Sequence, residues 1–567
     1  MFKHLIKYIT KKKYLVLMLS GIAALILANV SSLLLPTLIS RIIDEYTQTQ
    51  TVTDNYYYII GGILIIGTIF TYLNTYLNSL LGEKIGQNLK DRLFNKLLKH
   101  NYSYLVDNKP SKLLTVINSD TVYIKNTLSQ TLGLAIASLI LLIGSVILMF
   151  SLNSKLATII VLVVPVVIII MFLAIKDKFK LFKKVQKQRD KLNKVISENV
   201  KANMLIKVFV SQNVEIEKFT EVNTTNKKLA LEINKVFSTV VPIVSSLSIL
   251  ATVIIIYFGG EQVIQGQLTI GEITAFNTYV TLFIMPMLFI AIMTSTIGQA
   301  IASLKRINEV LDAPIKFEDG NQHIEEFKTL KVKDLSLTIE KAQILKKVNF
   351  EINRGEKIGI LGLTGSGKTI FLKHILRALE PTSGEILLNE DNIKDYKIED
   401  IRKFIGFSFQ ENFLFNGSIL ENIKFGRNIS DDKALKTAQI AQVEEFVKDT
   451  KEGYKRNVGE QGNNLSGGQK QRVMISRALA GDPQLLILDD ATSRLDISTE
   501  TKVFEGIKKN YKDISIILVA QKIVSVKDCD RIYIFDQGEI VDSGTHEDLL
   551  KTSVTYQEIE LTQRNYG

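Results

Sequence analysis

The stretch KIGILGLTGSGKT, Lys357 to Thr369, fixes the character of the chain's second half. Its first five residues are an apolar run short enough for a buried strand. The strand leads directly into Gly362, Leu363, Thr364, Gly365, Ser366, Gly367, Lys368 and Thr369, which satisfy G-x-x-x-x-G-K-[ST]. Glycines at these places let backbone N–H groups turn inward around phosphate oxygens, and a helix predicted over Thr369 to Leu379 adds its positive N-terminal end. Lys368 is then placed to reach the β and γ phosphates of a nucleotide, and the Thr369 hydroxyl to bind Mg²⁺.

Further along, LLILD (Leu485 to Asp489) reads as a second buried strand ending in a carboxylate. An Asp in that position can hold the metal of a phosphate-loop site. Between the two lies Leu465, Ser466, Gly467, Gly468, Gln469. Together with that strand end, the run makes the signal strong. Upstream, Pro314 and the polar Glu318 to Glu326 mark a linker. We therefore expect an α/β domain over 330–567, a linker over 311–329, and a different kind of domain over 1–310.

The first domain is apolar. The 567 residues are 46% hydrophobic, and the longest apolar stretches all precede about Ile301. A bilayer core takes roughly 20 apolar residues per helix. That length yields six spans: Tyr14 to Leu38, Tyr57 to Leu81, Thr131 to Leu152, Leu156 to Ile175, Val236 to Gly259 and Ile270 to Gly298. The first is too long for a signal-peptide core and is read as a retained helix. It follows a short amphipathic segment from Met1 to Lys13 that suits an inner membrane surface.

The net charge of +11 falls largely beside these spans, in Lys11 to Lys13 and in Lys176, Lys178, Lys180, Lys183 and Lys184. That arrangement is a topology signal, not a nucleic-acid footprint. The long connections Leu81 to Gln130 and Lys176 to Lys235 are basic and the short ones are not, which places both termini in the cytosol. Leu192, Val195, Ile196 and Val200 recur at helical spacing in the second long connection. Both connections are read as helical hairpins, with turns near Lys112 to Val122 and Phe209 to Glu221. A single cysteine, Cys529, excludes an intrachain disulfide.

The run NLSGGQKQR, Asn464 to Arg472, resembles the signature of ATP-binding cassette (ABC) transporters, and the phosphate loop stands where that family places it. Gln410 in FSFQENFLF looks like the family's Q-loop, and Val458, Gly459, Glu460 like the short element that precedes the signature in exporters. Asp496 matches the D-loop aspartate. Six spans before one cassette are similar to the exporter branch. The resemblance implies a six-span α-helical transmembrane domain of the type I exporter fold, fused to an α/β nucleotide-binding domain. It also implies ATP and Mg²⁺ as cofactors, with Thr369, Gln410 and Asp489 around the metal. Two cassettes pair head to tail in that family, so Leu465 to Gln469 would serve a nucleotide held by a second subunit.

Two positions depart from the family pattern. Asp490 stands where the family has its catalytic Glu after the Walker B Asp, and its carboxylate is one methylene shorter. Gln521, in VAQK, stands at the switch histidine; it can donate a hydrogen bond but cannot carry charge or shuttle a proton. A third departure is Ile339, near the place of the aromatic residue that stacks on adenine. We therefore expect a multi-pass plasma-membrane subunit of a heterodimeric exporter that binds ATP but hydrolyses it poorly at its own loop. Its signature would complete the active site of a dissimilar subunit. The alternatives are a slow homodimeric exporter, an ATP-gated channel or regulator, and a siderophore-type importer built on the exporter fold. The partners expected are a second half-transporter, membrane lipid and a transported small molecule, lipid or peptide. Asn29, Tyr72, Asn74, Tyr76 and Asn277 could line a cavity for amphipathic cargo or pack helix on helix.

Overall fold

A computed structural model describes residues 12–162, 179–315, 319–339 and 342–566, together with 165, 169 and 173. Most of the expected amphipathic segment at the N-terminus, and most of the second half of the span Leu156 to Ile175, therefore lie outside the described residues. The chain divides into two compact units, 1–98 with 109–313, and 99–108 with 314–567.

The first unit is helical: α1 (Lys12–Thr49), α2 (Asp54–Lys99), α4 (Pro110–Leu152), α5 (Ser154–Val161), α6 (Phe179–Lys201), α7 (Asn203–Val208), α8 (Gln212–Ile264) and α9 (Ile270–Leu311). Among the described residues, α1, α2, α4 and α8 are long and apolar enough to cross a membrane. The 53 residues of α8 span about 80 Å at 1.5 Å per residue, far more than the ~30 Å apolar layer. Such a helix continues well beyond one face of a bilayer.

Helix α9 packs against α1, α4 and α8, α1 also packs against α4, and the approach is close where glycines allow it. A Cβ on Gly144 would lie 2.4 Å from Leu33 Cδ1, and one on Gly271 would lie 2.1 Å from the Ser40 carbonyl. The Tyr279 hydroxyl, fully buried, donates to the Leu33 carbonyl at 2.8 Å. Asp44 accepts from the Gly271 N–H at 2.8 Å and from the Thr269 hydroxyl at 2.7 Å, so one carboxylate of α1 caps the start of α9. At the other end of α9, buried Asp120 accepts from Ser303 Oγ at 2.7 Å and Arg306 Nε at 2.8 Å. Asp120 closes the first of two π-helical turns in α4, Val116–Asp120 and Thr127–Thr131.

Of the polar residues read as either cavity lining or helix packing, the three asparagines are hydrogen-bonded within the helices. Asn29 donates to the Leu25 carbonyl of its own helix, Asn74 accepts from Asn78, and Asn277 accepts from Thr252. Tyr72 and Tyr76 stack on each other and remain exposed.

The expected turn at Lys112 to Val122 is displaced. Those residues lie inside α4, and the chain turns about ten residues earlier, through α3 (Tyr102–Asp107). Asn101 caps α3 by accepting the Tyr104 N–H, Lys109 takes a positive φ of 47°, and Pro110 opens α4 at its first position. The turn residues, not the helical periodicity, carry the information. Segment 99–108 groups with the second unit, where the Lys373 ammonium sits 4.5 Å over the Tyr102 ring. The second expected turn narrows to Phe209 to Ser211, because α8 begins at Gln212.

The second unit holds two main sheets. One is antiparallel, with strand order β2-β1-β4-β5, from β1 (Thr329–Ile339), β2 (Ala342–Asn353), β4 (Ser383–Leu388) and β5 (Asp391–Asn392). The other has six strands in the order β12-β11-β3-β10-β9-β6. These are β3 (Lys357–Leu361), β6 (Ile405–Ser408), β9 (Leu485–Asp489), β10 (Ser515–Ala520), β11 (Arg531–Asp536) and β12 (Glu539–Gly544). All of its neighbouring strands are parallel except β11 and β12. A two-residue pair, β7 (Gly417–Ser418) with β8 (Asn457–Val458), stands apart.

Every residue of β9 and β10 is buried, as strands covered on both faces require. The register pairs Val519 with Asp489 and Ala520 with Leu361, so the C-terminal ends of β3, β9 and β10 finish side by side. In an open parallel sheet, that edge is where ligands bind.

The candidate nucleotide-binding site

From β3 the chain passes into the glycine loop and then into α10 (Lys368–Ile375). A Cβ on Gly362 would lie 2.2 Å from the Phe535 carbonyl, so no side chain fits there. Gly365 (φ +88°) and Gly367 (φ +105°) take left-handed backbone, and Gly367 is the N-cap of α10. Helix α10 ends at Ile375, four residues short of expectation, and Arg377 follows at a positive φ of 50°.

The Lys368 ammonium donates to the carbonyls of Gly362 and Leu363, each at 2.7 Å, and to Ser366 Oγ at 3.2 Å. Burial lowers its pKa, and the carboxylates of Asp489 and Asp490 partly offset that. Asp489, at the end of β9, is 2% exposed, and its Oδ2 has no hydrogen-bond partner. Burial pushes its carboxyl up, while a hydrogen bond with Thr369 pulls it down. An ammonium folded into its own loop and an orphaned buried carboxylate oxygen fit a nucleotide phosphate chain and a divalent cation.

A cavity of about 160 Å³ is lined by Thr364, Gly365, Gly367, Lys368, Thr369, Gln410, Asp489, Asp490 and Gln521, together with Ile344, Ile370, Val519 and Ala520. Residues from five separate stretches of sequence thus meet in one place. Asp490 has φ +52°, its N–H donates to the Val519 carbonyl at 3.0 Å, and its carboxyl is pushed up by burial against a hydrogen bond with Ser493. Ile339 does not line the cavity; it stands exposed at the end of β1. Ile344, on β2, takes the place beside the loop, and only the fold of the β1–β2 hairpin could have revealed it.

Leu465 to Gln469 lie away from this cavity. Ser466 caps α11 (Gly467–Leu479) in a reciprocal box, accepting from the Gln469 N–H at 3.3 Å while Gln469 Oε1 accepts from the Ser466 N–H at 3.0 Å. A Cβ on Gly467 would meet Arg494 Cδ at 2.5 Å, so the exposed Arg494 side chain lies directly against the glycine. Asp496 caps α12 (Ile497–Asn510), accepting from the Thr499 N–H at 2.9 Å. Gln471, which sequence reading passed over, is 2% exposed and fully engaged. It sits one turn beyond the glycines of α11.

Residues 18–287 match the ABC transporter transmembrane region, and residues 345–493 match the ABC transporter ATP-binding domain. The chain is 30% identical over 556 residues to the ABC transporter ATP-binding protein YfiB of Bacillus subtilis, covering 96% of each chain. The chain belongs to the ABC transporter family.

An ATP-dependent lipid A-core flippase of Syntrophus aciditrophicus is 28% identical over 83% of this chain and 79% of its own length. A solved bacterial Atm1-family ABC exporter with ATP bound superposes with a TM-score of 0.81 at 23% identity, over 96% of this chain and 98% of that one. The fold is therefore the type I exporter fold, helical membrane domain and nucleotide-binding domain together. This ABC protein is a multi-pass membrane protein whose cassette binds ATP and couples its hydrolysis to transport.

Proposed function

We propose that this chain is the hydrolysis-impaired half of a heterodimeric exporter. The observation that carries the reading is the meeting of Asp490 and Gln521 in one cavity with Lys368, Thr369, Gln410 and Asp489. The groups suited to hold the phosphates and metal of ATP are complete, and both groups suited to assist its hydrolysis are weakened.

In this reading Gly362 to Thr369 wrap the phosphates and Lys368 leaves its loop carbonyls for the β and γ oxygens. Thr369, Gln410 and Asp489 face the metal. Mg²⁺ there would neutralise charge on the phosphate oxygens. Asp490 has to reach a water within roughly 2.6 to 3.2 Å to act as a base, and its left-handed backbone and short side chain limit that reach. Gln521 offers a neutral donor in place of a titrating imidazole.

Leu465 to Gln469 lie outside this cavity, which supports their service to a second cassette, with Asp496 beside them. The division of labour follows: this site keeps ATP through several cycles while the dissimilar subunit's site turns over. Both termini face the cytosol, the assembly sits in the plasma membrane, and transport runs outward. The cargo is drug-like, lipid-like or amphipathic. That assignment is supported by the apolar spans and by the flippase among the relatives.

The test is a pair of substitutions in the purified assembly. Replacing the catalytic Glu of the second subunit should abolish ATP hydrolysis, whereas Asp490→Ala here should change it less than about twofold. Loss of turnover with Asp490→Ala alone would defeat the reading.

A further inference from the structure

The C-terminal helix reaches back to the nucleotide site. Gln563 lies on α14 (Val554–Tyr566), and its side-chain amide donates to the carbonyl of Gln521 at 2.8 Å while its Oε1 accepts the N–H of Ile523 at 2.9 Å. The two backbone groups flank Lys522, the N-cap of the four-residue helix α13 (Ile523–Val526), which has no side-chain cap of its own. The Ile523 N–H is one of the donors a helix start leaves without an internal partner. One amide therefore grips both sides of a single residue and fixes the backbone between them.

The position of that grip matters because Gln521 lines the cavity. On its upstream side the backbone is fixed by the sheet, where Ala520 pairs with Leu361. On its downstream side, among the described residues, Gln563 bonds the Gln521 carbonyl and the Ile523 N–H, and the Lys522 carbonyl between them accepts the Ser525 N–H of α13 at 3.3 Å. Helix α14 is anchored independently of Gln563. Tyr556 is fully buried and bonded to His546 Nδ1 at 2.6 Å, and Ser553 Oγ donates to Asp542 at 2.5 Å. Truncating Gln563 therefore removes the grip and leaves the helix seated.

We propose that Gln563 is a positioning residue for the ATP site: from the C-terminal helix it holds the Gln521 side chain toward the terminal phosphate, and so sets the preference for ATP over ADP. The proposal rests on the reading of Gln521 as a γ-phosphate contact. A residue that only capped α13 would affect both nucleotides alike.

The experiment measures binding of a non-hydrolysed ATP analogue and of ADP, each with Mg²⁺, to the purified full-length chain in lipid nanodiscs. Gln563→Ala should weaken the ATP analogue about fivefold, the scale of one net hydrogen bond, and leave ADP within about twofold. Gln563→Glu, which keeps the acceptor for Ile523 but loses the donor to Gln521, should show the same selectivity loss with a smaller rise in hydrogen exchange over 521–526. In a Gln521→Ala background, Gln563→Ala should add nothing further. Equal weakening of both nucleotides, or an undiminished effect in the Gln521→Ala background, would overturn the proposal and leave Gln563 as a helix cap. If Gln521→Ala itself left the ATP-over-ADP ratio unchanged, the γ-phosphate reading would fail and this proposal with it. A change with Gln521→Ala but none with Gln563→Ala would sink the Gln563 role alone.

Discussion

Gln471 donates from Nε2 to the carbonyl of Asp490 at 3.2 Å, and its Oε1 accepts the N–H of Arg494 at 2.9 Å. A single buried side chain of α11 thus pins the turn that carries Asp490 to the helix that Ser466 opens. The start of α11, proposed to serve a second cassette, and the turn facing this chain's own cavity are therefore tied through one side chain. Gln471→Ala leaves the Arg494 N–H without that acceptor, and stability should fall by about 1 to 3 kcal/mol. Gln471→Glu keeps the acceptor and should lose less. Thermal unfolding of the two variants in the same lipid checks the order.

The proposed weakness of the site can be reversed. Asp490→Glu with Gln521→His restores a longer carboxylate and a titratable imidazole where the cavity already gathers the other groups. With the second subunit's catalytic Glu replaced, the double variant should raise residual ATP hydrolysis by at least about tenfold, well within the 10²–10⁴ typical of a positioned acid or base. Either substitution alone should give less. An unchanged rate would mean that the deficit lies elsewhere.

Burial raises the carboxyl pKa of both Asp489 and Asp490, and the sign of the pH effect follows. A raised folded-state pKa means that the folded chain holds the proton more tightly than the unfolded chain. The burial penalty is absent below the ordinary carboxylate pKa, grows as pH rises through the raised values, and is complete above them. Without nucleotide, the wild-type chain should therefore gain stability relative to Asp489→Asn on acidification through that window. Mg²⁺-dependent nucleotide binding should weaken over the same window. Unfolding midpoints of wild type and variant across a pH series would show the crossing trend, and parallel curves would count against it.

Two glycines of the loop should respond differently to alanine. At Gly362 the new Cβ would lie 2.2 Å from the Phe535 carbonyl, so the substitution has to displace backbone between β3 and β11 and should prevent stable folding. At Gly365 nothing lies within 4 Å, and the cost is confined to a left-handed φ of +88°, about 1 to 2 kcal/mol. Gly365→Ala should fold and lose nucleotide affinity. Expression yield and nucleotide binding of the two variants separate the cases.

The loop from Gly362 to Thr369 and the strand ending at Asp489 were legible because their chemistry is local: a strand, a glycine turn and a helix start follow one another in sequence. Gln410, Asp490 and Gln521 were legible as residues at family positions, and it is the strand order that brings them into one cavity. Ile344 and Gln471 were not. Ile344 reaches the loop through a hairpin register, and Gln471 is a polar residue on an amphipathic helix with no local mark of its two partners. The turn at α3 was missed for a different reason, since helical periodicity continues through Lys112 to Val122 and only Asn101 and Pro110 signal the break.

The left-handed backbone at Asp490 has a consequence for which acid can stand there. At φ +52° the tolerated side chains are Gly, Asn and Asp, and longer or branched ones sit there at some strain. A glutamate at this point would carry more backbone strain than the aspartate does, so part of what the longer acid gains in reach is offset by a less stable turn.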